Sequence, residues 1–165
     1  DTRDVVKLVL SNRADAFVLE RASKLHIPSY VFNRNTFYQS ELVLEVLRNA
    51  SIDVLVLAGF LWLIPDYLLQ AYPKRIINIH PALLPDFGGK GMYGMKVHES
   101  VIREGRKKSG ITIHLIDEHY DRGQTLFQAE CPVMPDDSPE DLAQRIHQLE
   151  HRYFPETIKS FLQTL

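Results

Sequence analysis

Asn78 and His80 stand two residues apart at the end of a β-branched, apolar run, Ile76-Ile77-Asn78-Ile79-His80, and Pro81 follows at once. Such a run packs as a buried strand, and alternation along it sends both side chains to one face. Pro81 and Pro85 stop the ladder, so the pair falls at the strand's C-terminal end, ahead of a stiff, glycine-rich loop, Asp86-Phe87-Gly88-Gly89-Lys90-Gly91. In open α/β sheets ligands bind at that end. Asp121, in the loop Asp117 to Gln124, supplies a third group. A carboxamide donor, a titratable imidazole and a carboxylate suit acyl transfer. An amine attacks a carbonyl, the donors hold the oxyanion, and the carboxylate orients the imidazole and helps to move protons. Taken singly, each residue has an ordinary use as a cap or a solvent-facing turn residue; their combination is what points to chemistry.

The elements that must position these groups alternate along the chain. Val5 to Leu10 reads as a strand and Ala14 to Leu25 as a helix opened by Ser11-Asn12-Arg13. Ser29 to Phe32 follows as a short strand. Phe37 to Asn49 then reads as one helix with Leu42, Val43, Val46 and Leu47 at helical spacing. Asp53 to Ala58 is the most apolar strand, suited to the centre of a parallel sheet. Gly59 to Pro65 leaves it as a hydrophobic loop, and Pro65 starts a short helix ending near Tyr72. Beyond the Asn78/His80 strand, the loop Pro81 to Tyr93 leads to a helix from Gly94 or Met95 to about Glu104. Strands Gly110 to Ile116 and Leu126 to Val133 flank the Asp121 loop. Asp136-Asp137-Ser138-Pro139-Glu140 caps a helix reaching at least Tyr153, with Pro155 kinking it or starting a second segment. The order predicts an α/β fold: right-handed βαβ units and a doubly wound, mostly parallel sheet, with the last two strands as an antiparallel edge. Residues 1–165 read as a single domain.

Composition narrows the functional classes. The 165 residues carry a net charge of −2, which gives no broad basic field for nucleic acid. The single cysteine, Cys131, cannot form an internal disulfide and fits a reducing compartment. No apolar run approaches the roughly 20 residues of a membrane span, and there is no signal-peptide pattern; the expected location is the cytoplasm. Among the seven histidines, His147 and His151 lie one helical turn apart, but neither an H-E-x-x-H pattern nor a cysteine cluster accompanies them. No metal is expected. Gly88-Gly89-Lys90-Gly91 lacks the spacing of a phosphate loop.

Asn78-Ile79-His80-Pro81-Ala82-Leu83-Leu84-Pro85, the preceding Val56-Leu57-Ala58-Gly59-Phe60, and the later Asp117-x-x-x-Asp121-x-Gly123 resemble the formyltransferases that use 10-formyltetrahydrofolate. Ser11-Asn12-Arg13-Ala14 through Ala22 and Gln148-Leu149-Glu150-His151 extend the likeness over nearly the whole chain. The resemblance implies transfer of a formyl group from 10-formyltetrahydrofolate, as co-substrate, to the amine of glycinamide ribonucleotide in purine biosynthesis. It implies that Asn78 and His80 polarise the formyl carbonyl and that Asp121 sets the charge state of His80 and assists proton transfer through water. Leu57, Phe60, Trp62, Leu63 and Ile64 would line the folate pocket, with Ile116, Asp117 and Tyr120 in a loop closing on the pterin. Pro81 and Glu150 would contact the nucleotide. Lys90, or the amides of the Gly88 to Gly94 loop, offers a further substrate contact. Partners would be small molecules, without nucleic acid or membrane, and a homodimer is compatible with the sequence. The family opens with one more strand and a Gly/Ser-rich phosphate loop; neither precedes Val5, so the expectation is that the natural chain begins upstream. The alternatives are a formyltetrahydrofolate deformylase, with water as acceptor, a formyltransferase acting on methionyl-tRNA, and a folate- or nucleotide-binding module without catalysis.

Overall fold

The structure, a computed structural model, describes residues 5–118 and 123–165. Its elements run β1 (Val9–Ser11), α1 (Phe17–Lys24), β2 (Ser29–Val31), α2 (Arg34–Tyr38), α3 (Leu42–Asn49), β3 (Leu55–Leu57), α4 (Asp66–Ala71), β4 (Ile76–His80), α5 (Met95–Arg103), β5 (Lys108–Leu115), β6 (Thr125–Pro132) and α6 (Pro139–Leu162). One compact unit comprises the described residues up to Asp53 together with Ile64–Ala71; the other comprises Val54–Leu63 and Tyr72–Leu165. The class is α/β as expected, with parallel strands and an antiparallel edge.

In the first unit β1 and β2 pair in parallel across α1, with Leu10 opposite Tyr30. Pairing starts only at Val9, and Val5, expected to begin the strand, is 67% exposed. The single helix expected from Phe37 to Asn49 is two helices. Asn33 opens the first with a capping box: its side chain accepts from the Thr36 amide at 2.9 Å, and the Thr36 hydroxyl accepts from the Asn33 amide at 3.1 Å. Ser40 then donates its hydroxyl to the Thr36 carbonyl at 2.8 Å, a local bond that competes with the helical ladder and marks the break. Phe32 and Phe37 stack at 5.0 Å between centroids, and the Tyr67 hydroxyl of α4 donates to the Phe37 carbonyl at 2.7 Å.

The second unit is a sheet of order β3-β4-β5-β6, in which β3 and β4 are parallel and β4, β5 and β6 are antiparallel. β5 is the strand buried on both faces. Ile111, Ile113 and Leu115 join Ile77, Val101, Leu142 and Ile146 in the core, while Thr112 and His114 are equally buried on the opposite face. β3 lies at the edge of this sheet, and Val56 is 44% exposed, which corrects the expectation of a central strand there. α6 starts with a capping box between Ser138 and Asp141 and carries Pro139 in its first turn. It then runs unbroken through Pro155 to Leu162. Pro155 and His151 are both exposed, so the carbonyl that the proline leaves without a helical donor lies where water can reach it.

Gly110 marks a place where β5 passes close to its neighbours. A Cβ there would collide with the Ala129 carbonyl oxygen and approach Leu83 Cδ2 to 2.6 Å. Gly110→Ala should therefore lower the unfolding free energy by about 2–3 kcal/mol, read by urea denaturation; a variant as stable as the wild type would contradict this packing.

Candidate active site

β4 delivers Asn78 and His80 to one face of the sheet, as its alternation requires. His80 is 4% exposed, and its Nε2 lies 2.7 Å from the Phe87 carbonyl oxygen. A carbonyl only accepts, so Nε2 carries the proton and donates. Phe87 sits at φ 54°, a left-handed conformation uncommon for a residue with a side chain. Arg106 lies 5.2 Å above its ring and pairs with Asp86 at 3.3 Å, so the turn that presents the carbonyl is tied down from two sides.

Asn78 is oriented by a residue that no motif in the chain singles out. His114 of β5 stands directly across from it in the antiparallel register. Asn78 Nδ2 is 3.2 Å from His114 Nε2, and His114 Nδ1 is 3.2 Å from the Leu115 carbonyl oxygen. The second contact puts a proton on Nδ1, which leaves Nε2 as a lone pair accepting from the Asn78 amide. This tautomer fixes which end of the carboxamide is nitrogen. The remaining Nδ2 hydrogen, which makes no other side-chain bond among the described residues, can donate to an oxygen in the site. The alternation Ile111-Thr112-Ile113-His114-Leu115, polar residues sharing one face of a buried strand, is the signal that could have found His114.

Around His80 the helices add further titratable groups. His98 of α5 is 3% exposed, and its Nδ1 has no hydrogen-bond partner among the described residues. Burial pushes its pKa down to about 4, with the imidazoles of His147 and His80 adding to the effect. His147 of α6 donates from Nδ1 to Glu150 Oε2 at 2.9 Å. Among the described residues no group of three histidine, cysteine, aspartate or glutamate side chains could hold a metal ion.

The other expected site residues are distributed as follows. Pro81 is half-buried immediately after His80. Leu57 is half-buried directly across from Asn78 in the β3–β4 ladder. Phe60 and Trp62 meet edge to face at 6.0 Å, and Leu63 is 42% exposed beside them. Ile64 is buried and belongs to the first unit. Ile116 is half-buried and donates its amide to the Ile76 carbonyl at 2.8 Å; Asp117 is exposed. Lys90 is exposed in the glycine-rich loop. Tyr120 and Asp121 lie outside the described residues. Among those described, no helix is long and apolar enough to cross a membrane.

A carboxamide N–H held by a buried histidine and an imidazole held by a loop carbonyl, on one strand face, form a site suited to stabilising an oxyanion and moving a proton. Comparison with known proteins gives the class. The formyl transferase family profile matches residues 2–158, and the chain belongs to that family. Its relatives narrow the class. The chloroplastic phosphoribosylglycinamide formyltransferase of Arabidopsis thaliana is 47% identical over 161 residues, which are 94% of this chain and 54% of that protein. The phosphoribosylglycinamide formyltransferase of Bacillus subtilis is 40% identical over 161 residues, 94% of this chain and 79% of that one. The crystal structure of phosphoribosylglycinamide formyltransferase from Anaplasma phagocytophilum superposes with a TM-score of 0.88 at 35% identity, covering 96% of this chain and 74% of that one. The chain thus spans about half the length of the plant relative and about three-quarters of the bacterial ones.

The low pKa of His98 has a consequence for stability. Between the ordinary 6.5 and about 4, the unfolded chain binds a proton that the folded chain refuses. The stability tied to His98 is therefore complete above that window, falls as the pH drops through it, and falls no further below it. Going from pH 6.5 to 4.5 should cost the wild type roughly 2–3 kcal/mol more unfolding free energy than it costs His98→Phe. Equal losses in the two proteins, measured by urea denaturation, would contradict this.

Proposed function

We propose that this chain transfers the formyl group of 10-formyltetrahydrofolate to the amine of glycinamide ribonucleotide. The observation that carries the reading is the pairing of Asn78 with a buried His114 beside His80, at the end of β4. The three relatives, each named a phosphoribosylglycinamide formyltransferase, support the choice of substrates.

The amine lone pair attacks the formyl carbon, and the carbonyl oxygen takes up negative charge. The free N–H of Asn78 donates to that oxygen, and a protonated His80 donates from Nδ1. The tetrahedral intermediate collapses when its bond to N10 of the folate breaks. The attacking nitrogen loses one proton and N10 gains one. Asp121 serves this exchange through water and favours the charged form of His80. Leu57, Phe60, Trp62, Leu63, Ile116, Asp117 and Tyr120 hold the folate, and Pro81 and Glu150 the nucleotide. The reaction needs no metal, and the single, buried Cys131 suits a reducing compartment such as the cytoplasm.

Removing one oxyanion donor of this kind costs about 10²–10³ in turnover. In the full-length protein Asn78→Ala should lower kcat by about that factor with little change in folate KM, and His80→Ala and Asp121→Ala should fall at least about 10²-fold. Assays with glycinamide ribonucleotide, water and charged initiator tRNA as acceptors identify the reaction. Wild-type turnover in Asn78→Ala would remove the basis of this mechanism, and formyl release to water alone would make the protein a deformylase.

A further inference from the structure

His80, Thr112 and Gln128 lie side by side across three strands, because His80 pairs with Thr112 and Thr112 with Gln128 in the sheet register. Directly opposed residues of antiparallel strands project to the same face. The row therefore ends at an exposed glutamine on β6, whose neighbours Phe127 and Ala129 pack on the core. An exposed strand residue of this kind ordinarily matters little to a protein. Here its hydrogen bonds reach into the site.

Gln128 Nε2 donates to the Leu84 carbonyl at 3.0 Å and to Thr112 Oγ1 at 2.9 Å. The Thr112 hydroxyl accepts a second bond from the Leu84 amide at 3.0 Å and donates its own proton to the Ala82 carbonyl at 2.7 Å. One donor and two lone pairs exhaust a hydroxyl, and two N–H bonds exhaust a primary amide nitrogen, so each group has a single arrangement. Together they grip the segment 82–84 by the carbonyls of Ala82 and Leu84 and by the amide of Leu84. Three residues further on, the same loop presents the Phe87 carbonyl to His80 Nε2. Leu83, Asp86 and Phe87 also face a cavity of about 330 Å³ whose other wall is residues 106–109. Arg106 ties that side through Asp86 and the Phe87 ring, Phe87 packs on the core, and the segment before them is held by the hydrogen bonds to β5 and β6.

We propose that Gln128 is a positioning residue for His80: it holds the loop whose carbonyl sets the orientation and protonated nitrogen of the imidazole. The link to turnover rests on the formyl-transfer reading above, and the link to the imidazole does not. Two substitutions separate the contributions. Gln128→Met keeps the length and removes both donors; Gln128→Glu keeps the shape and places acceptors against the Leu84 carbonyl. Glu130→Gln, on the same exposed face of β6, breaks only a surface pair with Lys108 and is the control.

The experiment is ¹⁵N NMR of the His80 ring together with formyl-transfer kinetics on the full-length protein. Both Gln128 variants should move the His80 Nε2–H resonance and speed its exchange with water. They should lower kcat about five- to tenfold with KM for both substrates changed less than about twofold, as expected for loss of one or two hydrogen bonds that orient a reacting group. Glu130→Gln should leave both readouts at their wild-type values. A folded Gln128→Met or Gln128→Glu with an unmoved His80 resonance overturns the proposal, whatever its turnover. A moved resonance in a protein that transfers no formyl group to glycinamide ribonucleotide upholds the positioning role and overturns the formyl-transfer reading instead.

Discussion

The site depends on an imidazole buried between two strands. His114 gives its one proton to the Leu115 carbonyl and so has only a lone pair to offer Asn78. A carboxamide facing a lone pair on this buried ring must turn its nitrogen toward it, since the flipped amide would set oxygen against nitrogen with no proton between them. The direction of the Asn78 dipole is thereby settled before any substrate arrives. Preorganisation of this kind is what makes a hydrogen-bond donor useful to a developing oxyanion, because no reorganisation remains for the moment of reaction.

His80 is governed by the same economy of protons. Its Nε2–H is committed to the Phe87 carbonyl, so Nδ1 is the nitrogen that the proposed formyl transfer would use. The two residues are held from different directions, Asn78 across the sheet by β5 and His80 by the loop that follows its own strand. That loop is in turn tied to β5 and β6 through Thr112 and Gln128. β5 thus supports both groups. Its burial on both faces, with aliphatic side chains toward the helices and Thr112 and His114 toward the site, follows from that double duty.

Asn78 and His80 were legible in the sequence because everything that places them is local: a β-branched run, a spacing of two and a proline that ends the strand. His114, Thr112 and Gln128 were not, because they reach the site through strand register. In β5 and β6 that register includes an irregularity at Ile113/His114, which no residue pattern announces. The α/β class and most elements were readable from periodicity, and the boundaries failed where a local hydrogen bond competes with the helical ladder. Ser40 splits one expected helix into two, while Pro155 leaves another continuous because the carbonyl it frees is on the exposed side. The apolar character of Asp53 to Ala58 suggested the centre of a parallel sheet, but apolarity does not say which neighbours a strand has in its sheet. The expected pterin-loop residues and Glu150 came from family likeness alone; in the structure Glu150 pairs with His147 one turn before it on α6.

Neutron diffraction from crystals of the deuterium-exchanged protein tests the central claim most directly, since it locates the protons on which the site depends. It should show deuterium on His114 Nδ1 and none on Nε2, with the nitrogen of Asn78 facing that bare Nε2. Deuterium on Nε2, with the oxygen of Asn78 turned toward it, would contradict the account. The amide would then spend its acceptor on His114, and its dipole toward the substrate oxygen would have no buried partner to set it.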